Sequence, residues 1–346
     1  MLRSRLGPLA TVGWEVLGRV GVQPKTRLRE PFVPPVAIRL AAMLRAGDMD
    51  KLRFTFNRLH RDSQWTTIQA MLDQLDEAEA MDAWMERLWD WYRAGREGVA
   101  RIVLIHGLIR QAWARRGGGL GGSVGEADAE AFFAHLEEAE RLLTPALQAE
   151  PDHLDLHCQG LILARGLGMG LEEHWARFRQ LIALAPLHYR GHMLMLENLK
   201  GKWGGSHQAM FRFAHARAAQ APEGSSLPAL VAEAHLEMRN QRYWMGDKAA
   251  DDYFAEDGVG QEIEFAWQRS LGSEKYADEK NVESLANLFA ATLYLSGHHD
   301  PARQALALMD GHCQSWPWCT LAASPKEKSH PGWIVDRIQV ELTTHP

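Results

Sequence analysis

"AEPDHLDLH" (149–157), "LAPLHYRGH" (184–192) and "QAPEGSSLP" (220–228) are three versions of one junction. Their prolines, Pro151, Pro186 and Pro222, stand 35 and 36 residues apart. An apolar stretch with three- and four-residue spacing runs up to each, and another comes after it. Proline cannot continue the helix before it, yet it suits the entrance of the next. A helix pair repeating at about 34 residues, with proline at the junction, is the signature of tetratricopeptide-like repeats. A lone pair cannot bury its own apolar face, so its neighbours must cover it. The expected class is all-α. The expected architecture is an α-α superhelix, a tetratricopeptide-like helical-repeat solenoid with irregular repeats.

Outward from these junctions the pattern stays helical. "AIRLAAMLRAG" (37–47), "EADAEAFFAHLEEAERLLTPALQAE" (126–150) and "LEEHWARFRQLIALA" (171–185) carry apolar residues on one face. "LANLFAATLYLSGHHDPARQALALM" (285–309) fits the same unit, whereas between 243 and 280 the register fails and "YADEKNVES" reads as loop and helix start. Gly47-Asp48, Gly204-Gly205-Ser206 and Gly297 to Asp300 punctuate the chain, with glycine ending one helix and Ser or Asp capping the next. "RIQVEL" (337–342) is the one strand candidate. The organisation read from this is a basic arm over 1–35, a helical section over 36–116, a repeat region over 117–312 and an extension over 313–346. The glycine cluster "RRGGGLGGSVGEAD" (115–128) marks the boundary before the repeats.

Composition narrows the function classes. With 46% apolar and 24% charged residues, the 346-residue chain has material for a sizeable core. A formal charge of −6 lacks the basic surplus that nucleic-acid binding requires. No stretch reaches the roughly 18 uncharged apolar residues of a membrane span. In the N-terminal run "MLRSRLGPLATVGWEVLGRVG", Glu15, Arg19 and Pro8 interrupt the apolar middle, and no small-residue cleavage site comes after it. Three cysteines, Cys158, Cys313 and Cys319, are too few for a disulfide framework, so the expected location is cytoplasmic. Thirteen tryptophans at helical spacing, as in "MDAWMERLWDWYRAG" (81–95), read first as packing where helices cross. Seven carboxylates against Arg87 between Asp73 and Asp90 read as a solvated helix face.

Motifs that carry chemistry are sparse. The glycine cluster lacks the lysine of a phosphate-cradling loop and comes after a helix, not a strand. His235-x-Glu237 with Cys313 and Cys319 lacks the Pro-Cys-x-x-Cys spacing of a zinc deaminase. Two histidine pairs are the remaining metal candidates: His153 with His157, and His188 with His192, each four apart and each at the same distance after its proline. The first histidine of each pair falls at a helix entrance, and no His-Glu-x-x-His motif accompanies them. Equivalent positions in duplicated units share residue types for packing reasons, which accounts for the match without a metal. Nothing calls for a cofactor.

"KWGGS" (202–206) lies between the two helices of the unit running from Pro186 to Pro222. Gly204 and Gly205 let the chain reverse, and Ser206 caps the second of those helices. The stretch "LENLKGKWGGSHQAMFRFAHARAAQAPEGS" (196–225), with "AWARRGGG" and "FFAHLEEAERLLTPALQAEP" upstream, resembles a bacterial family of unknown function marked by a Lys-Trp-Gly-Gly-Ser string. The likeness covers roughly residues 40 to 240. It implies a tetratricopeptide-like helical fold and carries no activity, cofactor or catalytic residue.

The resulting expectation is a non-enzymatic scaffold that binds a protein or peptide on its concave face. Arg190, Met193, Glu197, Lys202 and Trp203 are the expected contacts. Two alternatives stand beside it: a metal-dependent hydrolase built around His157 and His192, and an immunity or accessory protein of a bacterial conflict or secretion system.

Overall fold

A computed structural model describes residues 24–28, 33–95, 98–117 and 124–344. Most of the expected basic arm, and residues 118–123 of the glycine cluster, lie outside the described residues. The described chain is all-α apart from two short strands, β1 (Arg27–Leu28) and β2 (His312–Cys313), which pair in parallel. The helices, in order, are α1 (Pro35–Ala46), α2 (Met49–Phe56), α3 (Arg61–Ala78), α4 (Met81–Gly95), α5 (Gly98–Arg116) and α6 (Glu126–Ala149). Then come α7 (Leu154–Gly166), α8 (Leu171–Leu184), α9 (Tyr189–Asn198), α10 (His207–Gln220) and α11 (Ala229–Trp244). The chain ends in α12 (Val259–Arg269), α13 (Val282–Leu295), α14 (His299–Leu308), α15 (Pro325–Ser329) and α16 (Gly332–Thr344). Among the described residues no helix is long and apolar enough to cross a membrane.

The chain divides into two compact units. The first is Pro31–Asn198 with Lys202–Gly204; the second gathers Leu199–Gly201, Gly205–Pro346 and the strand Arg27–Leu28. The division therefore falls at the KWGGS turn. The glycine cluster at 115–128 does not separate units, because α5 and α6 on either side of it pack extensively on each other.

In the first unit each helix from α5 to α9 packs on the one before it, and alternate helices also touch, α5 with α7 and α7 with α9. The core runs from Leu40 on α1 through Phe56, Ile68, Trp84 and Leu104 to Leu136 and Leu156. Trp84 is wholly buried and spends its one polar atom on Asp76, 2.9 Å away. The acidic run around it is more than a solvated face. Arg110 on α5 bonds both Asp73 and Asp76 at 2.6 Å, Gln111 donates to Asp82 at 3.0 Å, and Arg87 pairs with Glu79.

In the second unit α11 packs on α10, α12 and α13. Phe289 and Trp267 pack edge-on in its core, and the wholly buried Trp318 indole donates to Asn287 at 2.7 Å. One sequence expectation is corrected here. "RIQVEL" belongs to helix α16, whose buried Ile334, Val335, Ile338 and Leu342 keep helical spacing, so its short alternation was a fragment of a longer period. Part of the expected arm is anchored as well: the backbone of Lys25 and Thr26 donates to the Asp336 carboxylate at 2.6 and 2.8 Å, and β1 continues from there.

Candidate functional site

The proline junctions place residues at matching heights on neighbouring helices. Asp155 and Arg190 both sit four positions after their proline, in the first turn of α7 and α9. Arg190 Nη1 donates to Asp155 Oδ1 at 2.9 Å, and its guanidinium lies 4.0 Å from the ring centre of Trp65 on α3. The same Asp155 oxygen accepts from Gln159 at 3.0 Å, and Oδ2 meets His106 Nε2 at 2.6 Å. Gln69 donates to the other ring nitrogen of His106 at 3.0 Å, leaving Nε2–H to donate to the carboxylate. Burial pushes the Asp155 carboxyl up, but His106 and Arg190 overcome it and hold the group well below the usual carboxylate range. His106 and Asp155 are almost wholly buried, and this node ties α3, α5, α7 and α9 together.

The four histidines of the metal alternative are each spent locally. His153 caps α7: its Nδ1 accepts from Leu156 N at 3.4 Å, and Nε2 meets Gln64 at 3.0 Å. His188 repeats the device ahead of α9, with Nδ1 accepting from Gly191 N at 3.2 Å and Cys158 Sγ 3.9 Å away. His157 Nε2 donates to the Pro151 carbonyl at 2.8 Å, and His192 Nδ1 to the His188 carbonyl at 3.0 Å. The ring of His192 also packs edge-on against Phe178. The matched spacing of the two pairs is thus a matched cap. Among the described residues no group of three histidine, cysteine or acidic side chains converges as a metal site. Burial raises the Cys158 thiol to about 12, away from thiolate chemistry. In the second unit, His235 bonds Tyr253 and Glu262 while Glu237 takes Lys200 at 2.8 Å, so the deaminase pairing does not form.

The expected contact residues fare differently. Arg190 is engaged in the node. Met193 lies half-buried along α9, and Glu197, Lys202 and Trp203 meet at its end. Glu197 Oε1 accepts from the Trp203 indole at 2.9 Å and from Lys202 Nζ at 3.0 Å. Trp203 then stands perpendicular to Trp113 of α5, ring centres 5.8 Å apart. Arg116 and Arg165 each approach both rings, at 5.6 and 5.4 Å and at 5.6 and 5.5 Å respectively. Sequence reasoning missed Trp113, Arg116 and Arg165. The available signal was that Trp113 lies seven residues after His106, two turns along the same face of α5.

The turn that carries Trp203 is built from its glycines. Gly204 has φ of +86°, which L side chains rarely adopt. At Gly205 a β-carbon would come within 2.0 Å of the Leu199 carbonyl oxygen. That carbonyl accepts from Ser206 N at 3.0 Å, and Ser206 Oγ caps α10 by accepting from Ala209 N at 3.1 Å. Searches of family models, curated proteins and solved structures return no match to this chain.

Proposed function

We propose that the chain is a non-enzymatic, tetratricopeptide-like scaffold that binds a protein or peptide across the face where α5, α7 and α9 stand side by side. In a superhelix of helix pairs these first helices line the concave side. The alternation of contacts, α5 with α7 and α7 with α9, supports that stacking. The observation that carries the proposal is the contrast on this face. Its histidines and its one deeply buried carboxylate are consumed by caps and by the node, whereas Met193, Glu197, Lys202, Trp203 and Trp113 remain part-exposed. Part-exposed tryptophans with arginines beside them are the composition of binding hot spots.

The test is affinity capture from native-cell extract with the tagged full chain and with Met193→Arg run in parallel, both checked for equal thermal stability. A protein held by the parent chain and lost by the variant is the expected result. A captured set that Met193→Arg leaves unchanged would overturn the proposal.

A further inference from the structure

The geometry points to a carboxylate-recognition site for an acidic peptide segment, formed by Arg116, Arg165 and Lys202 around Trp113 and Trp203. This deepens the scaffold reading above and rests on it. Three cations gather here beside the Glu197 carboxylate. One oxygen of Glu197 already accepts both the Trp203 indole and the Lys202 ammonium.

Arg165 is the informative member. Three other half-buried arginines of the same unit end on carboxylates: Arg177 on Glu140 and Glu173, Arg110 on Asp73 and Asp76, Arg190 on Asp155. Arg165 instead donates Nη1 to the neutral amide oxygen of Asn198, at 3.1 Å. Its Nε is buried and has no acceptor. Burial draws this guanidinium below its usual range, and Glu197 offsets that only in part. A group held this way gains most from an incoming anion.

The two rings determine which anion fits. Both guanidinium groups face both indoles, so the rings orient the forks and keep water from one side of each. A planar carboxylate matches a guanidinium fork with two parallel hydrogen bonds, and the dry side strengthens them. The aliphatic part of a glutamate or aspartate side chain would lie against the indoles. The same chemistry is offered by the free carboxylate at the end of a peptide.

The experiment is binding of the full chain to an array of random 12-residue peptides, each made with a free and with an amidated C-terminus. The expected result is enrichment of Asp and Glu among bound peptides, or loss of binding on amidation if the terminal carboxylate is the one read. Changing the responsible acid to its amide should weaken binding about tenfold, as should Arg165→Gln or Arg116→Gln in the protein. If Arg165→Gln fails to fold, Lys202→Gln at the exposed rim carries the test, with a smaller loss expected. Bound peptides with no acidic preference and no response to these variants would overturn the inference while leaving the scaffold intact. An array that retains no peptide would overturn both.

Discussion

Helix α7 carries an arginine-centred cluster at each end, and the two differ in what meets the charge. At its start Arg190 finds the Asp155 carboxylate, which also holds His106 and Gln159. At its end Arg165 finds an amide oxygen and two indoles. A buried ion pair is costly to assemble and costlier to break, so the first cluster fixes the arrangement of four helices. The second holds the Arg165 charge in a part-buried position, with its Nε lacking an acceptor. Asp155→Ala should therefore cost about 3–5 kcal/mol, because it strands Arg190, His106 and Gln159 together. Arg165→Gln should cost no more than about 1 kcal/mol. Urea unfolding of both variants checks the pair, and equal losses would erase the distinction between the two ends.

The KWGGS turn that delivers Trp203 to the second cluster allows a finer separation. Gly205→Ala forces a methyl group onto a backbone carbonyl that is already bonded to Ser206, and such overpacking costs about 1–3 kcal/mol. Gly204→Ala meets open space and pays only for its positive φ, about 1–2 kcal/mol. Because neither residue touches the node, both variants should leave its contribution to stability intact. A double-mutant cycle with Asp155→Ala measures this, and the effects should add within about 0.5 kcal/mol.

Much of this was legible in the sequence because it is local. The proline period, the helical spacing and the glycine turns depend on residues within a few positions of one another. The fold class and the capping role of Ser206 derive from them. The histidine pairs were legible as a repeat but ambiguous in meaning, since the same spacing serves a metal or two helix caps. In the structure His153 and His188 each accept from a backbone amide at their helix entrance. The tryptophan–arginine cluster was half legible: Lys202 and Trp203 are marked by their turn, but Trp113 lies 90 residues away. Its approach depends on how far α5 and α9 run past α7, which no local pattern encodes. "RIQVEL" misled for the opposite reason, as six residues are too few to separate a period of two from one of 3.6.

The smallest effect separates the two ends by pH. Burial, with a smaller push from the Arg61 charge, holds the His153 imidazole below its ordinary value of 6.5, against the opposing pull of Asp155 and Glu150. A histidine whose folded pKa is depressed stays neutral in the native chain while the unfolded chain takes up a proton. Its share of stability is present above pH 6.5 and is lost as the pH falls from there toward the folded pKa. One such group contributes a slope of at most about 1.4 kcal/mol per pH unit. His153→Asn keeps an acceptor for Leu156 N but cannot titrate, so it should flatten the stability profile below pH 6.5 by up to that amount. His135, His174 and His235 are also depressed, chiefly by burial, and add to the slope, as does the lowered Asp155 carboxyl at more acid pH. At the other end of α7 the Arg165 guanidinium is drawn down from an ordinary value of 12.5, far from this range, so Arg165→Gln should leave the profile's shape near pH 6.5 unchanged. A flattened profile in Arg165→Gln, or an unflattened one in His153→Asn, would show that the acid sensitivity of this unit does not reside in the cap at the start of α7.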